Sequence, residues 1–264
     1  MSPAPPGGAA AKRRRGRPEE QPVTVDGVRL NVAVGGQPGG PVLLLLHGLA
    51  ARWQAFGPLL PAFRSTHRLI APDLRGHGGS AHTGGYTVGA MTRDMIGVVE
   101  QLVPPSQRIV IYGHSLGGWV GLAMAVMMGD RVRAVIAGDT AIQPKEVDPE
   151  MAVNYMADAP LALRSLSKAQ AQLDEEVMTT FRAGRLAADF HPVEVLSAVR
   201  CPVLLLQADD TEGALMKDSD VALAKQHLAD VRHTHFNGVG HGLHIEAPSE
   251  VVEVVTAFLD GLPA

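Results

Sequence analysis

Short apolar runs alternate along this chain with longer stretches in which apolar side chains recur every three or four positions. The runs lie at Leu43 to Leu46, His67 to Ile70, Arg108 to Tyr112, Val132 to Ala137, Pro202 to Gln207 and Val231 to Phe236. Runs of that length, bounded by glycine, proline and polar residues, read as strands buried on both faces. Val23 to Val34 reads as two further short strands divided by Asp26-Gly27, a pair with hairpin chemistry. Between the runs, Gln54 to Arg64 can form a helix. Thr87 to Leu102 forms another, with Val88, Met91, Met95, Val98, Val99 and Leu102 on one broad face before Pro104-Pro105 stops it. Gly117 to Met128 and Ala169 to Arg182 also read as helical, and a last helix opens near Pro248-Ser249-Glu250. Strands alternating with helices predict an α/β architecture: a mostly parallel sheet covered on both faces, its crossovers right-handed.

Candidate chemistry sits where runs end. Gly113-His114-Ser115-Leu116-Gly117 lies between a strand run and a helix, a context in which a serine on a tight turn holds its hydroxyl clear of the backbone. Leu43 to Leu46 continues into His47-Gly48-Leu49 and then Trp53. The N–H of Leu49 after that glycine turn, together with that of Leu116 at the start of the next helix, could face a developing oxyanion. Ala71 to Ser80 carries Asp73-Leu74-Arg75-Gly76-His77-Gly78-Gly79, read as a braced loop in which Asp73 and Arg75 could pair. Gly238-Val239-Gly240-His241-Gly242 follows the last run and puts a histidine on a glycine-rich loop, on the sheet edge where Ser115 also sits.

These four motifs, in this order, resemble the α/β-hydrolase fold, and the resemblance covers about Val23 to Leu259. It implies a central sheet of about eight strands and a triad in the chain order Ser, acid, His. Ser115 would attack, His241 would take and return the proton, and an aspartate would support the imidazolium. In most of the family the acid follows the seventh strand, usually three residues after a glycine. Here Ala208 occupies the glycine position and the third residue on is Thr211, which leaves Asp209 and Asp210 early. A minority of the fold places the acid after the sixth strand, where Gly138-Asp139-Thr140 stands. Asp139 is favoured, with Asp210 next and Asp209 third. At least two of the three must be ordinary loop or capping aspartates. The resemblance also implies a helical cap between strands six and seven, approximately residues 142–199. Met151, Tyr155, Met156, Leu161, Leu163 and Phe181 are its candidates for an apolar substrate pocket, with Trp53 beside the oxyanion loop. Each of the cap residues, taken singly, reads as packing the cap onto the core before it reads as a ligand contact.

Composition sets the remaining bounds. The chain has 264 residues, 46% of them hydrophobic and 4% aromatic, which suits one catalytic domain at 21–264. No apolar stretch approaches the 18 or so residues of a spanning helix, so no membrane partner is expected. The single cysteine, Cys201, excludes an intramolecular disulfide and fits a cytoplasmic setting. Residues 1–20 differ in kind: Lys12-Arg13-Arg14-Arg15-Gly16-Arg17-Pro18 follows a Pro, Gly and Ala stretch, and no apolar segment succeeds it. We expect a disordered basic tail rather than a secretory signal. It carries about +3 of a net charge of −4. Arg15-Gly16-Arg17-Pro18 resembles a minor-groove AT-hook core, yet one such core beside an acidic body points to a solvated tail before any nucleic-acid contact. His233-x-His235 lacks a third ligand at suitable spacing, so no metal is expected, and with no phosphate loop or dinucleotide fingerprint a cofactor is not required. His244 is expected to pack near His241 without entering the chemistry.

The expectation is thus a cofactor-independent serine hydrolase acting on a small or medium apolar carboxylic ester, lactone or thioester through an acyl-enzyme. Carbon–carbon bond cleavage in a β-diketone or dienone is the enzymatic alternative, and a non-catalytic small-molecule receptor on the same scaffold is the alternative outside enzymes. Serine at the nucleophile position argues against the epoxide hydrolase and haloalkane dehalogenase chemistry of relatives, for which the resemblance implies aspartate.

Overall fold

A computed structural model describes residues 18–144, 147, 150 and 172–263. Eight strands form one sheet: β1 (Glu19–Val25), β2 (Val28–Gly36), β3 (Val42–Leu46), β4 (Arg68–Pro72), β5 (Ile109–His114), β6 (Val132–Gly138), β7 (Val203–Gln207) and β8 (Val231–His235). Their spatial order is β1-β2-β4-β3-β5-β6-β7-β8. β1 and β2 pair antiparallel, β2 pairs antiparallel with β4, and every pairing from β4 to β8 is parallel. Asp26 (φ 46°) and Gly27 (φ 82°) make the β1–β2 turn, both in the left-handed region that a two-residue hairpin of this hand requires.

Residues of the central strands alternate between two cores, as the pleat demands. Leu44, Leu46, Ile109, Ile111, Val135, Ala137, Val203 and Leu205 belong to one face. Leu43, Leu45, Val110, Tyr112, Ala134, Ile136, Leu204 and Leu206 belong to the other. Burial on both sides is why these strands read as unbroken apolar runs. The described helices divide accordingly. On the first face lie α2 (Val88–Leu102), α3 (Leu116–Met128), α4 (Glu175–Arg182), α5 (Pro192–Ala198) and α6 (Asp218–His227). On the second lie α1 (Leu60–Phe63), α7 (Leu243–Glu246) and α8 (Pro248–Asp260).

Several expected boundaries shift. β1 starts at Glu19, so the last residues of the stretch read as tail belong to the sheet, where Glu20 accepts hydrogen bonds from Trp53 Nε1 (2.7 Å) and Gln54 Nε2 (3.0 Å). The helix expected over Gln54 to Arg64 divides into a 3-10 turn, Trp53–Phe56, and the four-residue α1, with Gly57-Pro58 between them. Proline at 58 removes a donor the continuous helix would need. The Ala169 to Arg182 helix opens at Glu175, capped by Asp174, whose carboxylate accepts from the Glu176 N–H at 3.0 Å; positions 169–171 lie outside the described residues. Thr87 caps α2 by accepting from the Ala90 N–H.

Candidate active site

Adjacent parallel strands carry their carboxyl ends to one rim, and the registers there bring the candidate residues together. Leu46 of β3 pairs with Gly113 of β5, and His114 of β5 pairs with Gly138 of β6. Ser115 and Asp139, each the next residue, therefore leave the sheet side by side. The Ser115 N–H donates to the Gly138 carbonyl at 2.9 Å, and the Asp139 N–H to the Leu206 carbonyl at 2.7 Å. Both turns are strained. Of the four non-glycine residues with positive φ among the described residues, three stand on this rim: Ala50 (55°), Ser115 (52°) and Asp139 (37°). Such conformations cost on the order of 1–3 kcal/mol each and persist only where the surroundings over-determine them.

What over-determines Ser115 is close packing by glycine. A Cβ on Gly117 would lie 2.1 Å from the Leu46 carbonyl oxygen, and one on Gly113 2.1 Å from that of Gly117. The glycines of the pentapeptide thus let α3 run directly off β5 against β3. Thr140 Oγ1 donates to the Ser115 carbonyl at 3.1 Å, a contact that nothing in the motif announced. Ser115 remains partly exposed.

Asp139 is fully buried and its carboxylate faces His241: Nδ1 of the imidazole lies 2.6 Å from Oδ2. Three backbone N–H groups also donate to this carboxylate, Ala208 (3.1 Å) and Met216 (3.3 Å) to Oδ1 and Leu215 (2.8 Å) to Oδ2. The loop after β7 thus surrounds the Asp139 carboxylate with donors. Asp209 and Asp210, the two alternatives, engage other partners. Asp209 accepts from the Thr211 N–H (2.9 Å) and hydroxyl (2.7 Å) and from the Gly238 N–H (2.7 Å). These donors, Gly238 first, hold its carboxyl down at about 2. Asp210 meets Lys217 Nζ at 2.7 Å on the surface.

His241 stands on the loop that follows β8, with its side chain 12% exposed. Its carbonyl accepts from His114 Nε2 at 2.8 Å. Glu246, at the end of α7, accepts from the N–H groups of Gly240 (3.0 Å) and Gly242 (3.2 Å) on either side of it. His244 packs against the same group, its ring 4.4 Å from that of His114 and 5.0 Å from Phe56, and burial pushes its imidazole down to about 3.

At the end of β3, His47 is wholly buried. The Leu74 N–H donates to its Nε2 (2.9 Å), so its Nδ1 carries the proton and donates to the Gly48 carbonyl (2.8 Å). Burial holds this imidazole neutral, down at about 4. Gly48 is close to the serine: a Cβ there would lie 3.2 Å from Ser115 Cβ. Leu49 follows Gly48 in this turn, and Leu116 opens α3 directly after Ser115.

The loop after β4 corrects one expectation. Asp73 does not pair with Arg75. It accepts from the Trp53 N–H (2.8 Å), Asn31 Nδ2 (2.9 Å) and the Gly79 N–H (2.9 Å), while Arg75 forks onto Asp94 of α2 with two bonds of 2.6 Å. The buried carboxylate is satisfied by one N–H of its own turn and by donors from β2 and the loop after β3, and the longer arginine reaches across to the helix. Trp53 is partly buried with its indole N–H on Glu20, and Phe181 of α4 belongs to the core on the α3 face. Met151, Tyr155, Met156, Leu161 and Leu163 lie outside the described residues. His233 and His235 engage Gln207 Oε1 (2.8 Å) and Asn237 Oδ1 (3.0 Å).

Sequence reasoning missed His114, Glu246 and Thr140. The first stood inside the pentapeptide and the second five residues past His241, but only the fold reveals what they touch.

Residues 43–254 match the model of a family described as "Alpha/beta hydrolase family". A protein of Mycobacterium phage D29 named "Putative non-heme haloperoxidase" is 31% identical over 225 residues, 84% of this chain and 77% of its own length. Epoxide hydrolase A of Mycobacterium tuberculosis is 33% identical over 142 residues, 52% of this chain and 44% of its own length. This chain thus spans less than half of that relative. Among solved structures, the enol-lactonase of Burkholderia xenovorans LB400 superposes with a TM-score of 0.77 at 22% identity, covering 91% of this chain and all of that one.

Proposed function

Because the chain belongs to the alpha/beta hydrolase family, we propose that it is a serine hydrolase that cleaves a small or medium apolar carboxylic ester, lactone or thioester through an acyl-enzyme. The observation that carries this reading is the 2.6 Å contact between His241 Nδ1 and the buried Asp139 carboxylate, on the strand rim that also presents Ser115 at φ 52°.

A carboxylate on Nδ1 requires the proton there and leaves Nε2 as the base. Ser115 Oγ attacks the carbonyl carbon as His241 Nε2 takes its proton, and Asp139 supports the imidazolium that results. Negative charge gathers on the carbonyl oxygen, which accepts from the N–H groups of Leu49 and Leu116. The leaving group departs with the proton from His241, leaving the acyl group on Ser115. Water, deprotonated by His241, then attacks the acyl carbon, and collapse of the second tetrahedral species returns the proton to Ser115 and frees the acid.

Four hydrogen bonds hold the Asp139 carboxylate in place, which suits an electrostatic partner better than a nucleophile. Ser115 where the resemblance implies aspartate for epoxide hydrolases favours acyl transfer over epoxide opening. Ser115 should be the residue labelled by a fluorophosphonate probe, as peptide mapping would read. Ser115→Ala should abolish both labelling and hydrolysis of short p-nitrophenyl esters. Hydrolysis undiminished in Ser115→Ala would remove the nucleophile assignment, and tight ligand binding without turnover of any ester by the wild type would replace the enzyme with a receptor.

A further inference from the structure

His114 takes no part in the steps above, although its imidazole is buried between the elements that perform them. The His241 carbonyl can only accept, so the 2.8 Å contact requires a proton on His114 Nε2. Burial, with His244 and His241 nearby, holds the ring well below the ordinary imidazole value, so Nδ1 is bare. That nitrogen faces Gly48, where a Cβ would approach it to 2.9 Å. His114 is thus locked in one neutral tautomer, on the residue immediately before Ser115, with its one donor spent on the backbone of His241.

The loop it grips takes several hydrogen bonds, among them the Asp209 N–H on the Val239 carbonyl (2.8 Å) and the Ile245 N–H on that of Gly242 (2.7 Å). Gly238, Gly240 and Gly242 alternate through it, and glycines bring neither packing nor backbone restriction. Side chains outside it add to these backbone bonds: Asp209 on the Gly238 N–H, Glu246 on the N–H groups of Gly240 and Gly242, and His114 on the carbonyl between them. The backbone of three consecutive residues, with His241 at the centre, thus takes a bond from one or the other of two side chains.

We propose that His114 and Glu246 are positioning residues: together they clamp the backbone of His241, and His114 ties it to the turn that carries Ser115. This rests on the Ser115–His241–Asp139 reading. A displacement of about 1 Å in such a constellation costs on the order of 10²-fold in rate, so loosening the clamp lowers the rate of acylation without touching a reacting group.

The test is the rate of fluorophosphonate labelling and the kcat and KM for p-nitrophenyl butyrate, measured on the full chain with melting curves beside them. His114→Phe keeps a ring and loses the donor, whereas His114→Gln loses the ring and keeps an N–H the same number of bonds from the backbone. His114→Phe and Glu246→Ala should each label about tenfold or more slowly and lose kcat with KM within about twofold, and His114→Gln should recover most of the loss. Wild-type rates in His114→Phe, or equal losses in the Phe and Gln variants, overturn the role of the donor. Should His114→Phe fail to fold, the surface variant Glu246→Ala decides, and a wild-type rate there overturns the clamp. Ser115→Ala assayed in parallel separates the two readings. If it still hydrolyses ester, the nucleophile assignment fails and the clamp with it; if it is inactive while the clamp variants match wild type, the clamp alone fails.

Discussion

At the scale of single residues, three aspartates that look alike in sequence have three different surroundings. Asp139 is fully buried and accepts three backbone N–H bonds besides its contact with His241. Asp209 fastens a turn, and Asp210 sits in a surface ion pair. We expect Asp139→Asn to lower turnover by orders of magnitude, on the scale of about 10⁴ seen when a triad aspartate is so replaced in a serine protease. Its midpoint in a melting curve should fall as well, because an amide cannot accept every N–H aimed at it. Asp209→Asn should cost stability and little rate, and Asp210→Asn almost nothing, since exposed ion pairs contribute about 0–1 kcal/mol. Kinetics beside melts on the three variants checks this, and a deep catalytic loss at Asp210 instead would move the acid to the loop after β7.

At the scale of elements, the loops that shape the rim are held by ties to distant parts of the chain. The fork of Arg75 onto Asp94 fixes the loop after β4 to α2, with side chains only 14% and 3% exposed. The hydrogen bonds to Asp94, and then its charge, raise the affinity of Arg75 for its proton. Asp94→Ala should therefore destabilise the fold by about 3–5 kcal/mol, the cost of leaving a buried charge without its partner. Urea unfolding would read it, and a loss under about 1 kcal/mol would show that water reaches Arg75. Elements were also where the sequence was most legible. Strands buried on both faces announce themselves as apolar runs, and α2 was bounded by Thr87 and the following prolines. The short α1, α7 and the turn at Trp53–Phe56 were not, because four-residue helices are too short to show a period.

At the scale of the whole molecule, His47, His77, His114 and His244 are buried, and burial disfavours their charged form. Burial pushes His47 down to about 4 and His77 and His244 to about 3, and holds His114 far below its ordinary value. In the unfolded chain each titrates near about 6.5. Below that pH the unfolded chain takes up protons the folded protein refuses, so stability is full above about 6.5 and falls as pH drops towards 4. Each group contributes at most about 1.4 kcal/mol per pH unit within that window. The urea midpoint should decline steadily between pH 7 and 4.5. A flat profile would mean that these imidazoles are wet or paired when folded. The described residues include no helix long and apolar enough to cross a membrane.

The sequence by itself determined the fold class, the order of strands and helices, and the residues Ser115 and His241 as candidates. Apolar periodicity, glycine at fixed offsets and the nature of a nucleophile are local properties, written in neighbouring positions. The partners were decided by tertiary structure alone. Whether an aspartate meets His241 depends on the order of strands across the sheet: β6 lies between β5 and β7, and Asp139 after it meets His241 of the loop after β8 although the two stand 102 positions apart. The same reason separates Asp73 from Arg75, two residues apart in the chain, and joins His114 to the backbone of a loop 127 positions away. Hydrogen bonds of such reach leave no period and no spacing to read; they exist only once the sheet has set its order.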